Sequence, residues 1–215
     1  MNAVDLALVL ALDCSASVTY EEFGLIAGGV GAALRDPDVV AGLTSGPSGA
    51  SLCSLLLWSG KGQQDVLADW TRIASPEEAG AFADQVENVP RTVRAGATAI
   101  GEALLAALNL LNHAPATAGR RIVNVAGDGR SNDGPPPSPI RDRMAADGIT
   151  INGLCVLHEE PDLLESYTAE VIGGPGAFAL TCSDYAGFAA AMKQKLTREI
   201  AALPIAGMNL TGTGA

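Results

Sequence analysis

A chain of 215 residues, 48% of them apolar, carries enough material for one packed core and is read as a single globular domain. Its formal charge of −11, with only 13 Lys and Arg, sets up a negative field that repels phosphate backbones and anionic lipid, so nucleic acid is excluded as a partner class. No apolar run reaches the roughly 18 residues of a membrane-spanning helix, so membrane insertion is not expected.

In chain order, residues 4–12 read as a buried strand: all but Asp5 are apolar, and the unbroken run 6–12 ends at Asp13. Thr19-Tyr20-Glu21-Glu22 is a capping box that opens a helix to about Leu34, where Asp36 and Pro37 are expected to stop it. Residues 52–58 and 64–70 read as two strands joined by the turn Ser59-Gly60-Lys61-Gly62, a hairpin that makes one strand antiparallel. Ser75, Pro76 and Glu78 start a helix to about Val89, and a loop follows to Ala97. Residues 98–112 have helical spacing, 121–126 return to strand, and "GDGRSNDGPPP" is irregular.

Ser138 and Pro139 are expected to cap the next helix, followed by a strand at 149–157, a helix at about 161–172, and a strand at 177–181. A final helix over 183–203 places Phe188, Met192, Leu196, Ile200 and Leu203 on one face. This alternation predicts a doubly wound, mostly parallel α/β sheet covered on both faces. One domain spans 1–203, and the Gly- and Thr-rich residues 204–215 read as a flexible tail whose Asn209-Leu210-Thr211 matches a glycosylation sequon. The four cysteines lack C-x-x-C spacing and read as buried thiols, with a bridge between Cys155 and Cys182 left open. No secretory signal is visible at the N-terminus.

Ligands of doubly wound sheets bind beyond the carboxyl ends of the strands, where strand order reverses. Asp13 ends the first strand, Thr98 opens a helix after a long loop, and Asp128 follows the strand 121–126. With Ser15 and Ser17, alternate residues that can point one way, they offer two carboxylates and three hydroxyls at one rim. Such hard oxygen donors suit Mg²⁺, or Mn²⁺ or Ca²⁺, better than zinc, and a cation would relieve the repulsion between Asp13 and Asp128.

These residues match a known pattern. Asp13-Cys14-Ser15-Ala16-Ser17, Thr98 in "GATAIGEAL" and Asp128 in "AGDGRSND" resemble the metal-ion-dependent adhesion site (MIDAS) of von Willebrand factor type A (VWA) domains. With "EEFGLIAGGVGAALRDPDV", "RRIVNVAGDGRSNDG", "DGITINGL" and "VIGGPGAF", the chain resembles, over about residues 4–203, a bacterial family of uncharacterised VWA-like proteins, domain of unknown function 1194. The resemblance implies a six-stranded sheet with one antiparallel edge, and a cation held by Ser15, Ser17 and Thr98 with Asp13 and Asp128 acting directly or through water. It also favours a periplasmic or secreted location. Two features depart from the wider pattern: Ala16 stands where Gly is common, and Arg130 lies close to the site, either weakening metal affinity or holding an acidic group of a partner.

The expected function is a non-catalytic, metal-dependent module that binds a protein ligand supplying an acidic side chain to the metal. A Mg²⁺-dependent phosphohydrolase also places an aspartate after a first parallel strand, but it usually wants a second acid two residues later, where this chain has Ser15, and a nearby lysine. A structural subunit with a vestigial metal site is the third reading. His113 and His158 read as surface residues, and Cys14 has no adjacent histidine to activate it.

Overall fold

The run from Val4 to Leu12 is buried along its whole length and lies in β1 (Ala3–Asp13), an inner strand of the six-stranded sheet in the computed structural model, which describes residues 3–201. The other strands are β2 (Ser51–Trp58), β3 (Gln64–Ile73), β4 (Thr117–Gly127), β5 (Ile149–Val156) and β6 (Ala179–Cys182). Their order is β3-β2-β1-β4-β5-β6, with β3 antiparallel to β2 and every other pair parallel.

The period of two in β1 builds two cores. Leu6, Leu8, Leu10 and Leu12 share one apolar cluster with Ile26 and Val30 of α1 (Tyr20–Leu34), Val39 of α2 (Pro37–Thr44), Phe82 of α3 (Pro76–Glu87) and Met192 of α7 (Phe188–Ala201). Val9 and Ala11 share the other with Leu104 of α4 (Ile100–Asn112) and Met144 of α5 (Pro137–Ala146). Each fully buried leucine contributes about 1.5–3 kcal/mol, so β1 is fixed firmly enough to hold a charged group at its end.

The structure corrects several expectations. Asp36 and Pro37 end α1 but also begin α2: the Asp36 carboxylate accepts from the Asp38 amide, and proline at the first turn has the backbone angle a helix needs. The helix α5 starts at Pro137 rather than being capped by Ser138, because the proline run supplies helix-compatible geometry. Past β5, α6 (Leu163–Ser166) covers only one turn and runs into a π-helical turn, Tyr167–Val171. The "VIGGPGAF" turn is tight, with Gly174 at φ 91° and the Ala177 N–H, three residues on, donating back to Gly174 O at 3.2 Å.

On α7, Phe188, Met192, Leu196 and Ile200 are buried as the spacing requires. The same face carries Lys195, fully buried and ion-paired with Glu199, whose Oε2 accepts from Asn124 Nδ2 of β4 at 3.0 Å. Paired and hydrogen-bonded, a lysine can be held inside. All four cysteines are free and buried. Leu203, the tail 204–215 and the Asn209 sequon lie outside the described residues.

Candidate metal centre

Strand order reverses between β1 and β4: the chain builds outward through β2 and β3, then returns to the other side of β1. Leu12 pairs with Ala126, so Asp13 comes level with Gly127, and Asp128 follows one residue later. The two carboxylates therefore emerge side by side at the switch point.

Beyond Asp13 the chain turns, and its polar side chains converge. The Ser15 amide donates to Asp13 Oδ1 at 2.7 Å, Ser15 Oγ and Ser17 Oγ are 3.1 Å apart, and Ser17 Oγ donates to Asp128 Oδ1 at 2.7 Å. Asp13 and Asp128 are both fully buried, and each keeps one oxygen, Oδ2, with no hydrogen-bond partner of good geometry among the described residues, the Tyr185 hydroxyl lying beside Asp128. Thr98 is 5% exposed, and its hydroxyl makes no hydrogen bond among the described residues. Buried acceptors without donors are rare because each costs about 1–3 kcal/mol. Two at one rim, beside three hydroxyls, form a donor set suited to a hard divalent cation.

Thr98 sits in the loop before α4 and does not begin the helix, whose first residue is Ile100. Its backbone is taken by Asn132: Thr98 N–H donates to Asn132 Oδ1 at 2.8 Å, and Asn132 N–H donates to Thr98 O at 2.9 Å. This exchange ties the α3–α4 loop to the segment after Asp128. Asn132 gave no signal in the sequence beyond its polar loop.

Arg91, also unremarked in the sequence, holds the serine loop from beneath. Its guanidinium donates to the carbonyls of Val18 at 2.7 Å, Cys14 at 2.9 Å and Ser15 at 3.0 Å, and lies 5.2 Å from the centre of the exposed Tyr20 ring. The Ala16 amide donates to Gly96 O at 2.8 Å, adding a second tie to the same loop. Gly127 leaves room for the carboxylate: a Cβ there would come within 2.9 Å of Asp13 Oδ2 and 2.8 Å of Tyr167 Oη.

The electrostatics follow from burial. Desolvation, then the neighbouring Asp128, raises the Asp13 carboxyl to about 7. Burial also raises Asp128, and burial with the charge of Asp128 holds the Tyr185 phenol above its ordinary value. The Cys14 thiol is pushed up to about 12 by burial and by Asp13, which removes it as a nucleophile at neutral pH.

Ser17, Thr98, Asp128, Glu159 and Glu160 line a cleft of about 440 Å³. The two glutamates come from the loop after β5 and were not among the expected site residues. Arg130 is engaged there: its Nε lies 2.9 Å from Glu160 and its guanidinium also pairs with Asp162. The guanidinium expected to receive a partner's acid is thus already held by two carboxylates. A larger cavity, about 540 Å³, opens at the far end of the sheet near Arg120, Thr150 and Phe178, and none of Asp13, Ser15, Ser17, Thr98 or Asp128 lines it. Among the described residues no three His, Cys, Asp or Glu side chains are grouped to hold a metal, as expected where three of five donors are hydroxyls.

The fold recurs in solved structures. Proximal thread matrix protein 1 from the mussel byssus, in a structure with a zinc-occupied MIDAS motif, superposes with a TM-score of 0.63 at 18% identity over 92% of this chain and 48% of that one. A von Willebrand factor type A protein from Catenulispora acidiphila gives 0.61 at 17% identity over 92% and 43%. The vWF domain of the type V pili tip protein Mfa5 from Porphyromonas gingivalis gives 0.60 at 10% identity over 92% and 95%. The chain therefore spans under half of the first two proteins and nearly all of the third. No curated protein matches it. A family model described as protein of unknown function (DUF1194) matches residues 3–204, and with the sheet order above the chain belongs to the DUF1194 family and has the fold of a von Willebrand factor type A domain.

Proposed function

We propose that the chain is a divalent-cation-dependent protein-binding module of the adhesion type. In this reading Asp13, Ser15, Ser17, Thr98 and Asp128 hold the cation, and an acidic side chain of a protein partner completes its coordination. The observation that carries it is the pair of buried, unpartnered oxygens, Asp13 Oδ2 and Asp128 Oδ2, at the switch point of the sheet. A bound divalent ion supplies a fixed positive centre for a carboxylate oxygen. The chain's own residues do the rest. Asp13 and Asp128 provide compensating charge, the hydroxyls of Ser15, Ser17 and Thr98 offer neutral donors, and Arg91 keeps the serine loop in shape. Hard oxygen donors favour Mg²⁺, with Mn²⁺ or Ca²⁺ as substitutes. We include in the proposal a periplasmic or secreted location, which the family resemblance favours.

A phosphohydrolase reading gains nothing from the geometry. Ser15 occupies the place of a second acid; of the three lysines, Lys193 and Lys195 are ion-paired with Asp36 and Glu199, and Lys61 does not line the cleft. Calorimetric titration with Mg²⁺ and Mn²⁺ tests the proposal. Binding heat is expected in the wild type and not in Asp13→Ala or Thr98→Ala with the fold retained; equal affinity in all three contradicts it.

A further inference from the structure

With Asp13 and Asp128 balanced by a divalent cation, the sign of the field at the mouth of the cleft is set by the residues around it. Glu159 and Glu160 line that mouth together with Ser17, Thr98 and Asp128. The nearby cation, Arg130, is shared between Glu160 and Asp162, so that trio carries one negative charge, not a positive one. Among the described residues Glu159 has no arginine or lysine partner; His158 Nε2, 3.3 Å away, is its one ion-pair contact, and its side chain is 53% exposed. The other arginine of the site, Arg91, is turned beneath the serine loop, bonded to three carbonyls. A carboxylate entering this cleft meets an acidic rim on a molecule of formal charge −11.

We infer that the partner presents its acidic side chain from an otherwise basic surface, with Glu159 as the rim residue that selects it. The inference rests on the cation-dependent reading and deepens it. A cation held beside Asp128 Oδ2, which has no hydrogen-bond partner among the described residues, would draw the partner's carboxylate to this point of the cleft. The rim then decides which carboxylates arrive: a lysine or arginine beside the acid pairs with Glu159, while a second acid there is repelled. Arg130 offsets one of the two charges of Glu160 and Asp162, and Glu159 is the rim carboxylate with no arginine or lysine partner among the described residues.

The test uses fluorescent nonapeptides with a single central aspartate flanked by four lysines or by four glutamates, and a lysine-flanked control with asparagine at the centre. Mg²⁺ titration of the wild type comes first: absence of binding heat defeats the cation reading itself, and this inference with it. With saturating Mg²⁺, the lysine-flanked aspartate peptide is expected to bind at least tenfold more tightly than the glutamate-flanked one. It should also bind at least tenfold more tightly than the asparagine control, and lose that margin in chelator. Glu159→Lys should reduce the preference at least fivefold. Glu77→Lys makes the same change in net charge at the start of α3, which follows Ile73 of β3, paired with Ser51 at the opposite end of the sheet, and should leave the preference in place. Where Mg²⁺ binds, the inference is overturned if no peptide binds, if both aspartate peptides bind equally, if the asparagine control binds as well as its parent, or if Glu77→Lys erodes the preference as much as Glu159→Lys.

Discussion

Ser17 donates its hydroxyl to Asp128 Oδ1 at 2.7 Å, joining residues 111 positions apart in sequence. The bond closes the rim between the ends of β1 and β4 and aligns a neutral donor with a buried carboxylate. Ser17→Ala removes it and leaves Asp128 with no side-chain donor from the serine loop. The expected loss is about 1–2 kcal/mol of stability without divalent cation, with Mg²⁺ affinity reduced about tenfold or more. Urea denaturation in chelator and calorimetry measure the two effects separately.

Asp13 makes the stability of the cation-free protein depend on pH. Its carboxyl is raised from 3.8 to about 7 in the folded chain. Between those values the folded state binds the proton more tightly than the unfolded state, so this group's contribution falls as pH rises from about 4 to about 7 and is flat above. A shift of that size corresponds to about 4 kcal/mol. The difference in unfolding free energy between wild type and Asp13→Asn isolates the effect. In chelator, the wild type should lose stability relative to Asp13→Asn across this window, and saturating Mg²⁺ should remove the loss.

Gly127 faces Asp13 across the sheet, and a methyl group there would stand 2.9 Å from Asp13 Oδ2 and 2.8 Å from Tyr167 Oη. Gly127→Ala must move one of two buried groups. The expected cost is about 1–3 kcal/mol, accompanied by weaker Mg²⁺ binding because the displaced oxygen is a proposed ligand. Chemical denaturation with and without Mg²⁺ shows both: the variant should gain less from the ion than the wild type.

Arg91 acts on the site through the backbone of the serine loop. Its three bonds, to Cys14, Ser15 and Val18, need the forked geometry of a guanidinium, which a lysine cannot reproduce. Arg91→Lys and Arg91→Ala are both expected to lower Mg²⁺ affinity tenfold or more, with a stability loss of about 1.5–3 kcal/mol for Arg91→Ala. A thermal-melt series across Mg²⁺ concentrations separates the loss of affinity from the loss of fold.

The architecture could be read from local pattern because local pattern determines it. The unbroken apolar run before Asp13, the capping box at Thr19 and the hairpin at Gly60 each had one physical outcome, and each formed. The five oxygen-bearing residues could be picked out because they sit where predicted strands and loops end. Arg91 could not: it is a single arginine after a proline, and its role depends on which loop passes over it in three dimensions. Glu159 and Glu160 could not be picked out for the same reason, since nothing local says that their loop lines one cleft with Thr98. Lys195 and Glu199 did leave a trace, four residues apart on the apolar face of α7, and that spacing is what lets them pair inside. Thr98 was misplaced by two residues because helical spacing continues into a segment whose backbone bonds go to Asn132.

Anomalous diffraction from crystals grown or soaked in Mn²⁺ would locate the cation itself. The proposal requires one strong peak bounded by Asp13, Ser15, Ser17, Thr98 and Asp128, absent from crystals of Asp13→Ala. A well-ordered site in the wild type with no peak, or a peak held by other residues alone, would contradict it.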